Sequence, residues 1–270
     1  MLTALLYALL GLAVGAFGTL VGAGGGFILT PILLILLPTT PAVTISAISL
    51  AVVFFNAVSG TLAYARQRRI DYRSGITFAL ATLPGAVAGA LLVASVSRYL
   101  FDSLMAGLLL VLGLWLLLGR SQPGGDQRAT GSRRELHARD GEVYQYTVRT
   151  GQGVAYSLGV GFLSSFLGIG GGIMHVPLLV QALGFPVHVA TATSHFVLAN
   201  MAAVGTITHI TAGSFDSGTT VALTLELSAG VVVGAQVGAI LSRRVGGRAI
   251  RRLLACALIV LAARLALSVV

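Results

Sequence analysis

The sequence predicts an all-α polytopic membrane protein made of two inverted repeats of about five helical segments each, with a glycine-broken helical hairpin in each repeat. Composition is the first indication, because 56% of the residues are hydrophobic and only 9% are charged, with a mean hydropathy of +0.94. Soluble domains carry about 25% charged residues, so a soluble fold would lack polar material for its surface. Long apolar stretches recur along the chain, and one glycine-rich segment occurs twice.

The first repeat is predicted to cover residues 1–119. An apolar helix over 2–19 ends at a glycine break, and a shorter apolar run over 27–37 is closed by Pro38 and Pro41. At 1.5 Å per residue this run reaches only about 16 Å, roughly half of the hydrocarbon core. It therefore forms either a re-entrant segment or one arm of a spanning hairpin. Three further spans are predicted over 43–65, 75–96 and 100–118.

Residues 120–150 differ from the rest of the chain. They contain proline, glycine, glutamine, arginines and acids, without a sustained apolar period. Such a composition is typical of a flexible hydrophilic linker. We expect this linker to lie in the cytoplasm, between the first repeat and a second transmembrane repeat over 151–270.

The evidence for duplication starts from the glycine-rich segment, which reads GAGGGFILTP at 22–31 and GIGGGIMHVP at 168–177. The surrounding residues 15–31 align with 161–177, and the correspondence continues after one residue is skipped. It then pairs Ser49 with Ser194 and Gly60 with Gly205. Matches that persist over most of a half indicate an internal duplication rather than shared composition.

Loop charges predict the orientation of the repeats. The basic residues are all arginines, and the formal net charge is +9. Because basic residues concentrate in cytoplasmic loops, the arginine-rich loop 66–73 is placed inside. The equivalent loop of the second repeat, 211–218, has no basic residue, and the arginines lie instead at 243–252. Inverted repeats require such an exchange of basic and non-basic loops. The same rule explains the net charge without a nucleic-acid partner.

The paired G-x-G-G-G-x-x-x-x-P segments, the internal duplication and the hydrophilic midpoint resemble the sulfite exporter TauE/SafE family of membrane transporters. The resemblance covers nearly the whole chain apart from the linker. It implies transport of anionic sulfur compounds such as sulfite, sulfonates or sulfoacetate, or of related small organic anions. It also implies a multi-pass protein of a bacterial-type cytoplasmic membrane.

The glycine breaks are the first candidates for a substrate-binding site. A break at membrane depth leaves backbone groups unpaired, and the following helix presents free N–H groups and the positive end of its dipole. Without side chains in the way, an anion can approach these donors closely. The alternative is that the glycines only allow close helix packing. The predicted binding residues at the breaks are Gly24, Gly25, Gly26, Phe27, Gly170, Gly171, Gly172 and Ile173.

Polar residues on the third span of each repeat are the next candidates, because hydroxyl and amide groups can donate hydrogen bonds to an oxyanion. Ser49 and Ser194 occupy equivalent positions, and Asn56 and Asn200 follow them along the two spans. These four residues are predicted to bind substrate. Interhelical hydrogen bonding, worth about 0.6 kcal/mol for each bond, is the alternative interpretation.

Three ionisable residues lie inside apolar runs, where such groups are functional candidates by default. These residues are His175, His195 and Glu226. Each is a candidate for carrying a coupling proton, since histidine titrates near neutral pH and a buried carboxyl can exchange a proton. Sodium is the other coupling ion to consider. Duplication does not account for these residues, because the first-repeat equivalents are Leu29, Leu50 and Ala81.

Together these features predict a secondary transporter, an exporter or permease, that works by alternating access around a midplane site between the glycine hairpins. An anion channel or uniporter using the same helix N-termini is the alternative. We expect no enzyme activity, cofactor or metal, because the sequence has no Walker A motif, no CxxC pair and no convergent nucleophile and base. The expected partners are a small anionic substrate and the lipid bilayer, and the sequence carries no signal of an oligomeric state.

Overall fold

The computed structural model describes residues 2–118, 131–242 and 244–269. The helices of the predicted first repeat are α1 (Leu2–Val21), α2 (Gly26–Leu36), α3 (Ala42–Arg66), α4 (Tyr72–Leu92, extended by a 3₁₀ turn over Val93–Ser95) and α5 (Arg98–Leu118). Two strands follow, β1 (Ser132–His137) and β2 (Val143–Val148). The helices of the predicted second repeat are α6 (Thr150–Leu167), α7 (Gly172–Pro177, continued by a π-helical turn over Leu178–Ala182), α8 (Val187–Thr211), α9 (Gly218–Leu241) and α10 (Gly247–Val269).

Within the described residues, 6 helices are long and apolar enough to cross a membrane, namely α1, α3, α4, α5, α8 and α9. Helix α2 is apolar but has only 11 residues. These features confirm the predicted all-α polytopic membrane fold. The predicted first-repeat segments agree with the observed helices to within a few residues, because prolines, glycines and charges mark most of the ends.

Helices α1 and α9 run parallel in close contact, since the contacts advance together along both chains. Gly11 faces the backbone of Leu227, and Gly15 faces Val231, whose Cα would lie 2.7 Å from a Cβ at Gly15. Glycine allows this approach because any larger residue would collide with the opposite backbone. Helix α4 packs on α6 in the corresponding way, and α5 packs on α10.

Helices α3 and α8 cross at the centre of the bundle and run antiparallel. Gly60 of α3 lies against the ring of His195, whereas Gly205 of α8 lies against Leu50. Gly60 and Gly205 are equivalent in the predicted repeats, and so are Leu50 and His195. The two contacts therefore join the same pair of equivalent positions, once from α3 to α8 and once from α8 to α3. Two oppositely oriented copies of one unit would produce this packing.

The prediction of a flexible linker over 120–150 is wrong for its second part. Residues 132–148 form a β-hairpin in which β1 pairs antiparallel with β2, with Ser132 opposite Val148 and His137 opposite Val143. Val148 is fully buried beside Phe78 of α4. Residues 119–130, the first part of the predicted linker, lie outside the described residues.

The hairpin is anchored to both repeats. Tyr146 packs against Phe185 of the second repeat, with ring centroids 4.9 Å apart, and its hydroxyl donates to Oδ2 of Asp71 in the first repeat at 3.0 Å. Burial and the neighbouring Asp71 carboxylate raise the pKa of Tyr146 above its ordinary value. Nη2 of Arg69 lies 2.7 Å from Oδ2 of Asp140 at the hairpin turn. The hairpin therefore ties the repeats together at this end of the bundle.

The basic loops gather at that same end. Nε2 of Gln67, in the loop after α3, donates to the carbonyl of Ala239 near the end of α9 at 3.1 Å. At the other end of α3, Arg98 closes the C-terminus of α2 by donating to the carbonyls of Leu34 at 2.7 Å and Thr40 at 2.6 Å. The ends of α3 and α9 thus lie at one end of the bundle, and the placement of loops 66–73 and 243–252 on one side of the membrane stays a prediction.

This placement predicts a labelling pattern for single cysteines. In a Cys256→Ser background, Arg66→Cys and Arg244→Cys should react with a membrane-impermeant maleimide from the same face, and Thr219→Cys from the opposite face. Labelling of inside-out and right-side-out vesicles measures this directly. Reaction of positions 66 and 244 from opposite faces would contradict the inverted topology.

Candidate substrate-binding site

Both predicted glycine breaks occur where the sequence places them. Helix α1 ends at Val21 and α2 begins at Gly26, whereas α6 ends at Leu167 and α7 begins at Gly172. The turns need glycine, because Gly24 and Gly170 have φ values of 75° and 71°, in the left-handed region that side chains disfavour.

The two hairpin tips touch each other through their backbones. A Cβ at Gly26 would lie 2.5 Å from the carbonyl oxygen of Ile169, and one at Gly172 would lie 2.5 Å from Cα of Ala23. Val53 of α3 and its equivalent Leu198 of α8 pack against the tips from the sides. The tips therefore meet at the contact between the two repeats, with bare backbone facing bare backbone.

Each tip also packs against the third span of the opposite repeat. Ser194 Oγ of α8 donates to the carbonyl of Gly22 in the first hairpin at 3.3 Å. In the second hairpin the carbonyl of Gly168 lies 2.9 Å from Oγ1 of Thr30, which is 2.7 Å from Ser49 Oγ. These side chains are buried. The predicted serines of α3 and α8 thus lie at the hairpin tips, each beside the hairpin of the other half.

Free backbone donors point to the chemistry of the site. The N–H groups of Ile28 and Leu29 turn back to the carbonyl of Gly25, both at 3.0 Å, whereas those of Gly26 and Phe27 have no partner among the described residues. In the second hairpin, His175 N–H bonds to the carbonyl of Gly171 at 2.8 Å. The preceding N–H groups, those of Gly172 and Ile173, likewise have no partner in the described part of the chain. Unpaired buried donors at a helix N-terminus favour an anion.

The predicted residue Asn56 lies one turn beyond Val53 and is fully buried. Its Oδ1 accepts from Oγ1 of Thr19 at 3.1 Å, and Nε2 of His195 lies 3.3 Å from that same hydroxyl. Asn56 Nδ2 has no hydrogen-bond partner within the described residues. Asn56 and His195, predicted separately as a substrate ligand and a proton carrier, are therefore joined through Thr19.

His175 lies in α7, one turn after the second tip, and its Nε2 is 3.1 Å from Ser157 Oγ of α6.

The structure does not bring two other predicted residues to the tips. Asn200 is exposed on α8, where its Nδ2 donates to the carbonyl of Phe196 at 2.8 Å. Glu226 is half-buried on α9, where the adjacent Leu227 packs against Gly11, about 15 Å before the end of α1.

Sequence reasoning missed three buried polar residues that contact the predicted ones, namely Thr19, Thr30 and Ser157. Thr19 and Thr30 flank the first glycine break inside otherwise apolar sequence, and this position is the signal that could have identified them.

A separate surface pocket of about 390 Å³ lies where α3 and α4 meet the α8–α9 loop, and Asp216 is among its lining residues. Its carboxylate makes that pocket unsuitable for an anion.

Comparison with known proteins agrees with these features. The profile of the family described as sulfite exporter TauE/SafE matches residues 7–265. The probable membrane transporter protein YunE of Bacillus subtilis is 30% identical over 263 residues, covering 95% of this chain and 94% of that protein. A probable membrane transporter protein of Xylella fastidiosa is 29% identical, and the match covers 87% of this chain and 82% of that protein. The probable membrane transporter protein MJ0441 of Methanocaldococcus jannaschii is 27% identical, and the match covers 76% of this chain and 72% of that protein. No solved structure matches the chain.

The contact between the tips predicts different effects of two glycine substitutions. Gly24→Ala places a methyl group at positive φ against Leu198, whereas Gly107→Ala on α5 meets nothing within 4 Å. We expect Gly24→Ala to destabilise the protein by roughly 2 kcal/mol and to lower the melting temperature by at least about 4 °C. Gly107→Ala should leave the temperature unchanged or raise it slightly. Equal melting of the two purified variants in detergent would contradict the tight packing of the first tip.

Proposed function

The chain belongs to the sulfite exporter TauE/SafE family, and from this premise we propose that it is a secondary transporter of small sulfur-containing or organic anions. Sulfite, sulfonates and sulfoacetate are the substrate class we favour. The membrane-transporter assignment itself follows from the family and the relatives, which span most of the chain. The protein is thus a multi-pass transporter of the cell membrane and not an enzyme.

The observation that carries the anion proposal is the pair of facing helix N-termini. At each tip, consecutive backbone N–H groups belong to buried residues and have no partner in the described part of the chain, and the hydroxyl of Ser49 or Ser194 lies nearby. Sulfite and sulfonate groups carry several acceptor oxygens on one centre, so they can bond to donors that converge from two sides. In inverted-repeat transporters, helix N-termini of this kind bind the anionic group of the substrate near the midplane.

Electrostatics favours a helix-dipole site here over an arginine-based one. Arg98 is held at one end of the bundle by Asp102 and the end of α2, and Arg69 is held at the other end by Asp140. Neither arginine is placed at the tips. Backbone dipoles stabilise an anion without carrying a full charge that would have to be buried when the site is empty.

The contact between the tips supports alternating access as the proposed mechanism. Because backbone meets backbone there, an anion can reach the free N–H groups only when the hairpins separate. Antiparallel packing of α3 and α8 supports two inverted halves that move against each other, opening the site to one side and then to the other. Against an inside-negative potential, export of a monovalent anion is favoured by about 2.3 kcal/mol per 100 mV, whereas uptake needs a coupled cation.

A transport assay tests this proposal. In proteoliposomes, uptake of radiolabelled sulfite or sulfoacetate should saturate and should be accelerated by unlabelled substrate on the opposite side. Ser49→Ala and Ser194→Ala should each raise KM about tenfold, since each removes a buried hydroxyl near the anion. Ser103→Ala, which changes an exposed hydroxyl bonded within α5, is the matched control and should behave as wild type.

Two results would overturn the proposal. Flux that neither saturates nor responds to substrate on the opposite side would indicate an anion channel that uses the same helix N-termini. Unchanged KM values in both serine variants would show that the anion binds away from the hairpin tips. Competition by unlabelled sulfonates and carboxylates in the same assay would define the preferred anionic group.

A further inference from the structure

We propose that His195, Thr19 and Asn56 form a hydrogen-bonded relay that couples the binding of one proton to the binding of the anion. This inference rests on the proposed function, because it assumes that the hairpin tips hold the anion. It assigns the coupling ion as a proton and gives the three residues distinct roles. His195 binds the proton, the hydroxyl of Thr19 changes its hydrogen-bond partner as a result, and the amide of Asn56 changes its orientation.

The three side chains converge from three helices at the first hairpin tip. Thr19 lies near the end of α1, Asn56 on α3 and His195 on α8, and all three are fully buried. Thr19 Oγ1 is 3.1 Å from Asn56 Oδ1 and 3.3 Å from His195 Nε2. The hydroxyl of Tyr64 holds the same turn in place by donating to the carbonyl of Thr19 at 2.7 Å.

A hydroxyl has one proton, so Thr19 can donate to only one of its two neighbours. When it donates to Asn56 Oδ1, as the structure shows, the hydrogen between Thr19 and the imidazole must come from Nε2 of His195. The amide group of Asn56 then faces away from Thr19. Its Nδ2 is buried and lacks a partner among the described residues, so it is available to donate to an anion.

A neutral imidazole also permits the opposite arrangement. If Nε2 of His195 carries a lone pair, Thr19 can donate to it, and the amide of Asn56 can rotate to donate to Thr19. Its Oδ1 would then face the site, where an acceptor repels an anion. Protonation of His195 makes both ring nitrogens donors and removes this second arrangement. The proton therefore favours the orientation of Asn56 that binds the anion.

Charge gives the relay its second effect. Among the described residues, Tyr64 is the titratable side chain in contact with His195, with ring centroids 5.4 Å apart. On neighbouring elements, Asp71 donates its N–H to Thr193 of α8, and His175 bonds to Ser157. A buried imidazolium without a counterion is costly, and so is a buried anion. Each lowers the cost of the other, so proton and anion bind cooperatively.

The equivalent position in the other half argues against a purely structural role. Gly60 faces His195 and Thr19, and its counterpart Gly205 faces Leu50 and Ser165. In the repeat alignment, the position of Asn56 is occupied by Met201. At the related position Leu50 and Met201 stand in place of His195 and Asn56, beside the hydroxyl of Ser165, so the complete set of three occurs at one of the two positions within the described residues. One relay per molecule corresponds to one proton per transport cycle.

The decisive variants are Thr19→Val and Thr19→Ser, of which only the second keeps the hydroxyl. The probes are radiolabelled sulfoacetate and methanesulfonate in proteoliposomes, since their charges stay constant between about pH 6 and pH 8. For the wild type, we expect KM to fall about tenfold from about pH 8 to about pH 6, because the bound anion favours protonation of His195 and the two therefore bind together. Thr19→Ser should keep the full response, and Thr19→Val should reduce it to the part that comes from the charge of His195 alone.

Three further variants separate the relay from a folding defect. His195→Gln should lose the pH response but keep exchange of labelled for unlabelled substrate, and His175→Gln should keep both. Asn56→Asp should raise KM at both pH values, because it removes the amide donor. Thermal melting of each variant identifies those that fail to fold.

Several results would overturn the relay. A full pH response in folded Thr19→Val, or its loss in His175→Gln but not in His195→Gln, would show that the three residues do not couple the proton. Saturable uptake by the wild type without pH dependence would contradict the relay and leave the proposed function standing. If the wild type transports neither probe and no sulfite, the proposed function fails and the relay fails with it.

Discussion

The structure depends on one constraint, which is that backbone polar groups cannot remain exposed to hydrocarbon. Each glycine break leaves such groups unpaired in the middle of an apolar chain. They are tolerated because the tips lie against each other and against α3 and α8, where protein replaces lipid. The close contacts of α1 with α9 and of α4 with α6 follow from the same need, since they hold both hairpins inside the bundle. The free N–H groups that remain at the tips, those of Gly26 and Phe27 among them, are the ones we assign to the anion.

Some residues of the candidate site are equivalent in the two halves of the sequence, and others occur in one half alone. The features that repeat are the glycine turns, the serines beside them and the glycines at the α3–α8 crossing, and these build the frame of the site. The features that do not repeat are His195 and Asn56, whose counterparts are Leu50 and Met201. In the proposed mechanism, a symmetric frame allows the two halves to exchange conformations during transport. The proposed relay, which is present in one half of that frame, can couple the binding of a proton to the transport of the anion.

Much of this arrangement could be predicted from the sequence, and the exceptions have physical causes. Hydrophobic runs, together with the positions of glycine and proline, located the helices and both breaks. The alignment of the two halves paired Ser49 with Ser194. Asn200 was misplaced because it lies six residues after Ser194, which turns it about 120° away from the serine face on a helix. The β-hairpin was missed because its strands are short and β1 is charged, although 144–148 alternates apolar and polar residues. Thr19 and Thr30 were missed because their partners lie on other helices, so only their position beside the glycine break marks them in the sequence.

The central claim is that the anion binds between the two hairpin tips, and the most direct measurement is to locate a bound anion. A structure determined with selenite, in which selenium replaces sulfur, would reveal the anion by its anomalous signal. We predict selenium within about 5 Å of the backbone nitrogens of Gly26 and Phe27, a distance set by an N–H···O bond plus the bond to selenium. Selenium in the pocket beside Asp216, with the tips still in contact, would contradict the claim.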